Sequence, residues 1–187
     1  MIEKPKRHSA DTAGSAMPMK STTGERIVKY VFPEKPSNWG SITVSSALAI
    51  AALALIASFQ ATLGNAPLVG ALGGSAVIAF GMPESAMAKA RSLFGGHAVA
   101  FGVGIVVTSI LPEFPWAGAI GVGCALGLMR LTATTHSPAG ADPLLIASTQ
   151  GAWGRPMIVL VAGLFIISLL ARLRAAAGTR AHAIGDR

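Results

Sequence analysis

A polar stretch between two apolar segments contains the residues best suited to chemistry. It runs from Thr132 to Leu145 and holds a histidine, a serine, an aspartate, two prolines and a glycine. At membrane depth such polar side chains and broken backbone cost several kcal/mol unless protein groups satisfy them. Pro138 suits the first turn of a helix, because its missing N–H would have no partner there. The stretch therefore predicts a helix start with Ser137 as its N-cap.

This helix start is suited to binding a small anion. Small residues follow Pro138, so the backbone N–H groups of Ala139, Gly140 and Ala141 are accessible at the positive end of the helix dipole. His136 could add a proton or a charge-assisted hydrogen bond. The alternative interpretation is structural, a capped helix end whose histidine is satisfied by its neighbours.

Polar residues in or beside other apolar segments are candidate partners of this stretch. Ser75 follows two glycines, whose backbone can approach a substrate closely. His97 is either an interhelical hydrogen-bonding residue or a gating or proton-relay partner of His136. Arg130 either lies at the membrane interface or attracts the anion, and Arg91 could also draw the ion in. These residues complete the candidate anion site.

Asp142 is the residue that fits the anion interpretation least. The helix dipole favours a carboxylate near a helix N-terminus, but that carboxylate opposes an anion bound at the same place. An anion site therefore requires Asp142 to pair with Arg130 or Arg155, or to carry a proton. The two histidines and Asp142 lack the spacing of a metal site, so we expect neither a metal nor a cofactor.

The composition indicates a polytopic membrane protein. Of the 187 residues, 52% are hydrophobic and 12% are charged, whereas about 25% are charged in soluble domains. No acidic or basic residue occurs between positions 40 and 83.

Seven basic residues precede this region, and four arginines follow the last apolar run. Basic flanks mark the cytoplasmic side, so we expect both termini in the cytoplasm and a bacterial inner-membrane location. Lipid contact explains the charge better than a nucleic-acid-binding arm, and we expect no nucleic-acid partner.

The chain divides into a membrane domain and two tails. Residues 1–38 lack the apolar core of a secretory signal and are predicted to be a largely disordered, basic cytoplasmic tail. Residues 39–174 form the transmembrane domain, and residues 175–187 a cytoplasmic C-terminal tail. The lone Cys124 excludes an intrachain disulfide and the usual cysteine-based metal sites.

Six apolar segments predict an all-α transmembrane helix bundle. In each half of the membrane domain a long segment is followed by a short one and then by another long one. The short segments are 68–82 and 139–150, and the segment at 116–134 is long enough to span. Short, Gly/Pro-interrupted segments at matching positions point to a transporter's binding site. If both short segments cross, the chain has six spans and an inverted repeat, which the basic residues favour. If both re-enter, it has four spans, which the short lengths favour.

The chain resembles the HPP family of small integral membrane proteins, named for a His-Pro-Pro motif followed by Ala-Gly-Ala. The motif stands here as His136-Ser-Pro-Ala-Gly-Ala141, and two further family-like blocks run over residues 72–80 and 83–97. The resemblance covers about residues 39–174. Members of the family are usually described as having four spans, and some in plastids and cyanobacteria are associated with nitrite transport. The resemblance therefore implies a carrier or channel for small anions.

Two residues depart from the family pattern. Ser137 replaces the first proline of the motif, which should loosen the backbone before the helix. Asp142 stands where small or hydroxyl residues are more usual in the family. These departures imply a different selectivity or coupling to protons through Asp142.

The leading hypothesis is a small-anion transporter with nitrite as the first substrate to test. The alternative is a non-transporting scaffold or sensor that binds a partner through its basic N-terminal tail. We expect no enzyme activity, because neither a nucleophile–base pair nor a zinc-protease motif nor paired aspartates can be recognised. The expected partners are the lipid bilayer, a small inorganic anion and, since Gly and Ala line the segments, further copies of the chain in a homo-oligomer.

Overall fold

Six α-helices make up most of the chain that the computed structural model describes, residues 39–63 and 69–185. They are α1 (Trp39–Leu63), α2 (Val69–Gly81), α3 (Ala90–Ile110), α4 (Ala117–Leu131), α5 (Asp142–Ser148) and α6 (Gly154–Gly185). Short 3₁₀ turns precede α3 (Ala86–Ala88) and α5 (Ser137–Ala141). No strand occurs within the described residues, and the prediction of an all-α bundle is confirmed. The tail predicted over residues 1–38 lies outside the described residues.

Three of the described helices are long and apolar enough to cross a membrane. They are α1, α3 and residues Gly154–Ala177 of α6. Helix α2 has 13 residues, about 20 Å at 1.5 Å per residue, and is short as predicted. Helix α4 was expected to span over 116–134 but has only 15 residues, about 22 Å against a hydrocarbon core of about 30 Å.

Helix α4 ends early because the chain leaves it through a left-handed cap. Ala133 adopts φ +53°, and its N–H donates to the Arg130 carbonyl at 3.3 Å. The Thr134 N–H donates to the Met129 carbonyl at 2.9 Å. This pair of bonds is the Schellman motif, in which the left-handed residue is usually glycine. The residues that follow therefore form a loop instead of the last turn of a span.

Consecutive segments run in opposite directions. The Ser45 hydroxyl near the start of α1 donates to the Phe80 carbonyl near the end of α2 at 2.8 Å. Arg91 at the start of α3 donates to the Thr132 carbonyl after α4 at 2.7 Å. Arg174, late in α6, also donates to the Phe80 carbonyl. Helix α2 thus runs antiparallel to α1, and α4 runs antiparallel to α3.

The second short segment, a 3₁₀ turn continued by α5, packs between α3 and α4. Glycines permit the close approach: a Cβ placed on Gly121 would lie 2.7 Å from the Cβ of Pro143. A Cβ on Gly104 would lie 3.0 Å from the Cα of Pro143, and one on Gly96 would lie 2.6 Å from the Cβ of His136. The segment thus advances along α3 in the same direction as that helix.

Apolar side chains form both the core and much of the described surface. Ile56, Leu72, Ile146 and Ile167 are among the buried core residues that α1, α2, α5 and α6 share. Large apolar side chains also point outward, and Ile50 is 70% exposed. An outward apolar surface is stable when its solvent is lipid.

Replacing Ala133 with glycine should stabilise the protein by up to about 1 kcal/mol, because glycine adopts a positive φ without the steric cost that a Cβ carries. The measurement is the midpoint of thermal unfolding of the purified protein in detergent. Ala119→Gly, at an exposed position inside α4, is the matched control and should destabilise by about 1 kcal/mol. A fall in the midpoint for both variants would contradict the strain at Ala133.

Candidate functional site

Four polar side chains that the sequence singled out meet in one buried cluster. Ser75 comes from α2, His97 from α3, His136 from the loop after α4, and Asp142 from the start of α5. Each of the four residues is 0% exposed. We call these four residues the polar cluster. Both short segments contribute to it, as the hypothesis of a site built from broken segments requires.

The polar cluster is one continuous chain of hydrogen bonds. The Ser75 Oγ lies 2.9 Å from Nε2 of His97 and 2.9 Å from Nε2 of His136. The Nδ1 of His97 lies 2.8 Å from Oδ2 of Asp142. The Nδ1 of His136 lies 2.9 Å from the Met87 carbonyl oxygen. The chain therefore runs from a carboxyl group through two imidazoles and one hydroxyl to a backbone carbonyl.

Close backbone contacts hold the elements of the polar cluster together. A Cβ placed on Gly74 would lie 3.1 Å from the ring of Pro138, so the two short segments touch beside Ser75. A Cβ on Gly96 would lie 2.9 Å from the Thr134 carbonyl and closer still to His136. Substitution at these glycines would separate the elements that carry the polar side chains.

The predicted anion-binding helix start differs from the one observed. His136, in an extended conformation, occupies the cap position of the 3₁₀ turn, and Ser137 lies inside the turn and is exposed. The prediction of Ser137 as the N-cap was wrong, because the turn begins one residue earlier with the Ala139 N–H donating to the His136 carbonyl at 3.1 Å. The amide of Ala139 is therefore not free for an anion. Gly140 is half-buried and Ala141 is exposed.

The arginines expected near the anion lie outside the polar cluster. Arg91 is exposed and bonds the carbonyl of Thr132. Arg130 and Arg155 are exposed as well. Of the two alternatives for Asp142, pairing with Arg130 or Arg155 does not occur, because Asp142 lies fully inside the bundle and bonds His97 there.

The order of Asp142, His97 and Ser75 is that of the triad in serine hydrolases, where a carboxylate orients a histidine that faces a serine hydroxyl. The sequence did not reveal this pairing of a nucleophile with a base, because the residues lie on three separate elements. Here the Ser75 hydroxyl is buried, contacts a second imidazole and lies 3.1 Å from the Ala71 carbonyl. This enclosure suits proton transfer better than attack on a substrate.

One oxygen of Asp142 has no hydrogen-bond partner within the described residues. It is the buried Oδ1, and a buried polar atom without a partner costs about 1–3 kcal/mol. Oδ1 is thus an atom at which a proton or a donor group would be stabilised. Across the described residues no group of three His, Cys, Asp or Glu side chains could hold a metal ion.

A pocket of about 510 Å³ lies at the end of the bundle near Arg174. Its lining includes three charged side chains, Glu84, Arg172 and Arg174. It also includes Ala79 and Leu93, which lie one helical turn from Ser75 on α2 and from His97 on α3. We call this the basic pocket. Two of its lining residues thus lie one helical turn from the helix positions that carry the polar cluster.

Comparison with known proteins adds a family and two relatives. A family model described as HPP, transmembrane region, matches residues 33–182. A Dictyostelium discoideum transmembrane protein is 38% identical over 82 residues, which cover 42% of this chain and 29% of the relative. Another from the same organism is 34% identical over 91 residues, covering 46% of this chain and 29% of the relative. Each match thus spans less than a third of the relative. No solved structure matches significantly.

Gly96→Ala should destabilise the protein by about 1–3 kcal/mol, because the added methyl group overlaps His136 and the Thr134 carbonyl. The loss would be measured as a lower thermal midpoint in detergent. Gly102→Ala on the same helix has nothing within 4 Å of its Cβ and should be neutral or slightly stabilising. Equal behaviour of the two variants would argue against the close contact at Gly96.

A fluorophosphonate probe, which labels activated serines, should not label Ser75 in the purified protein, because that hydroxyl is buried and shared between two imidazoles. Labelling would be read by mass spectrometry after digestion, with Ser75→Ala as the control that lacks the target hydroxyl. Covalent modification at Ser75 in the wild type would show that the triad is accessible and would reopen the case for an enzyme.

Proposed function

This chain belongs to the HPP transmembrane family, and we propose that it is a transporter of small anions with nitrite as the first candidate substrate. It is an integral membrane protein. The observation that carries the proposal is the polar cluster, which gathers Ser75, His97, His136 and Asp142 inside an otherwise apolar bundle. Ionisable residues within a membrane domain commonly mark ion pathways or proton relays.

The polar cluster differs from a cluster that serves packing alone. A structural network is most stable when every buried polar atom has a partner. Here Oδ1 of Asp142 has none within the described chain. An unsatisfied carboxyl oxygen beside two histidines is easier to explain in a site that exchanges protons or ligands than in one that only holds helices together.

The imidazoles are the groups we assign to the anion. The amide of Ala139 is used within its own turn, so His97 and His136 replace the free amides as the groups whose positive charge, when they are protonated, would attract the anion. The two ring centroids lie 5.2 Å apart, a distance at which rings pack against each other, so the anion would bind beside the imidazoles and not between them. Ser75 lies between them, and Asp142 acts by orienting His97.

The basic pocket supplies an approach to the polar cluster. Arg172 and Arg174 would raise the local concentration of anions. Ala79 and Leu93 separate the pocket from Ser75 and His97 by one helical turn. Passage of an anion from the pocket to the cluster would therefore require movement at Ala79 and Leu93.

Liposomes that contain the purified protein should take up nitrite, and His136→Ala should reduce uptake to the level of protein-free vesicles, because the variant removes an imidazole from the proposed anion site. The assay measures nitrite captured inside the vesicles at a pH where almost no neutral nitrous acid is present. Thr108→Val is the control, since the Thr108 hydroxyl bonds the backbone of its own helix, and should keep wild-type uptake.

If folded His136→Ala takes up nitrite as fast as the wild type, His136 is not part of the anion site. Uptake by the wild type no faster than in protein-free vesicles would rule out nitrite, and direct uptake assays with other small anions would then decide between a different substrate and no transport.

A further inference from the structure

The hydrogen-bond chain of the polar cluster lacks one proton when both histidines are neutral and Asp142 is charged. The Met87 carbonyl can only accept, so Nδ1 of His136 carries a proton and a neutral His136 presents a lone pair at Nε2. A neutral His97 that donates from Nδ1 to a charged Asp142 also presents a lone pair at Nε2. Both lone pairs face Ser75, whose hydroxyl has a single proton to donate.

One additional proton, shared by Asp142 and His97, completes the chain. His97 then donates from Nε2 to the Ser75 oxygen, and the Ser75 hydroxyl donates to Nε2 of His136. The cluster is uncharged overall, whether the proton lies on the carboxyl group or on the imidazole. An uncharged or internally paired cluster is favoured at a buried position, because an isolated charge there is costly.

The same geometry accepts a second proton at Nε2 of His136. Both imidazoles then donate to the two lone pairs of the Ser75 oxygen, and the Ser75 hydroxyl turns to the Ala71 carbonyl, 3.1 Å away. The chain is again satisfied, but it now carries one net positive charge. A monovalent anion bound beside the imidazoles would neutralise that charge, and the anion would be equally unfavourable there without the proton.

We propose that the polar cluster is a proton-binding site that loads one proton onto Nε2 of His136 with each monovalent anion, so that the anion crosses as an electroneutral pair with H⁺. The proton comes from water on one side, forms the N–H bond at His136, and returns to water on the other side when the anion leaves. No electron transfer is involved. This inference rests on the proposed function and specifies its coupling.

The ionisable groups around His136 are few. His97 faces it from α3, and Asp142 faces His97 from α5. Lys89, Arg91 and Arg130, on the neighbouring turns and helices, are exposed and do not enter the hydrogen-bond chain. Helix α2 contributes only the neutral Ser75 to the chain. The basic pocket holds Glu84, Arg172 and Arg174 a helical turn or more away.

Wild-type protein in liposomes loaded with a pH-sensitive dye tests the coupling. An inward nitrite gradient should acidify the lumen by one proton per nitrite captured, after subtraction of protein-free vesicles. An imposed potassium diffusion potential should leave the rate unchanged. His136→Gln keeps an amide that can bond Ser75 and Met87 but binds no proton, so nitrite-dependent acidification should fall to the protein-free level. Thr108→Val should acidify as the wild type does.

Nitrite flux that responds to the membrane potential, or that brings no proton, would overturn the coupling and leave the proposed function standing. Folded His136→Gln that acidifies the lumen as fast as the wild type would also overturn the coupling and leave the proposed function standing. Absence of wild-type nitrite flux would instead overturn nitrite transport, and the coupling with it.

Discussion

A polar group enclosed in an apolar bundle must find its hydrogen-bond partner within the protein, and this constraint fixes the relative positions of four elements here. Neither histidine could be buried alone. His97 is bonded by Asp142 on one side of its ring and by Ser75 on the other. His136 is bonded by Ser75 and the Met87 carbonyl. Displacing any of the contributing elements would leave a donor or acceptor without a partner, so the polar cluster and the helix packing depend on each other.

Glycine and proline provide the geometry that the polar cluster needs. Gly74 and Gly96 admit Pro138 and His136 to distances that a side chain would prevent. The 3₁₀ turn places His136 before α5 and Asp142 at its first residue, so both reach inward from one short segment. A regular helix through this region would place His136 and Asp142 differently relative to each other. The broken segment therefore positions the chemistry as well as completing the fold, which is the role that broken helices have in many transporters.

Several features of the site followed from residue types and local order alone. Ser75, His97, His136 and Asp142 were identified because polar side chains in apolar segments need an explanation, and they do come together. The first short segment was found because Pro67 and Pro83 bracket it, and the second because Asp142 and Pro143 interrupt an apolar run. The predicted position of the cap and the predicted length of α4 were wrong, and the contact between Asp142 and His97 was not predicted. Each of these depends on backbone dihedrals or on contacts between residues far apart in the sequence.

The sequence by itself determined that the chain lies in a membrane, that its fold is all-α and to which family it belongs. Hydropathy, charge distribution and the three motif blocks are local properties that need no coordinates. The sequence also showed that Asp142 had to be paired or protonated. Only the tertiary structure decided which residue meets it. Arg130 and Arg155, the candidate partners of Asp142, are exposed, since a guanidinium is more stable near water, and His97 enters the bundle from α3 to meet the carboxyl group. A hydrogen-bond chain is specified by the angles and distances between separate elements, and those are set only when the helices pack.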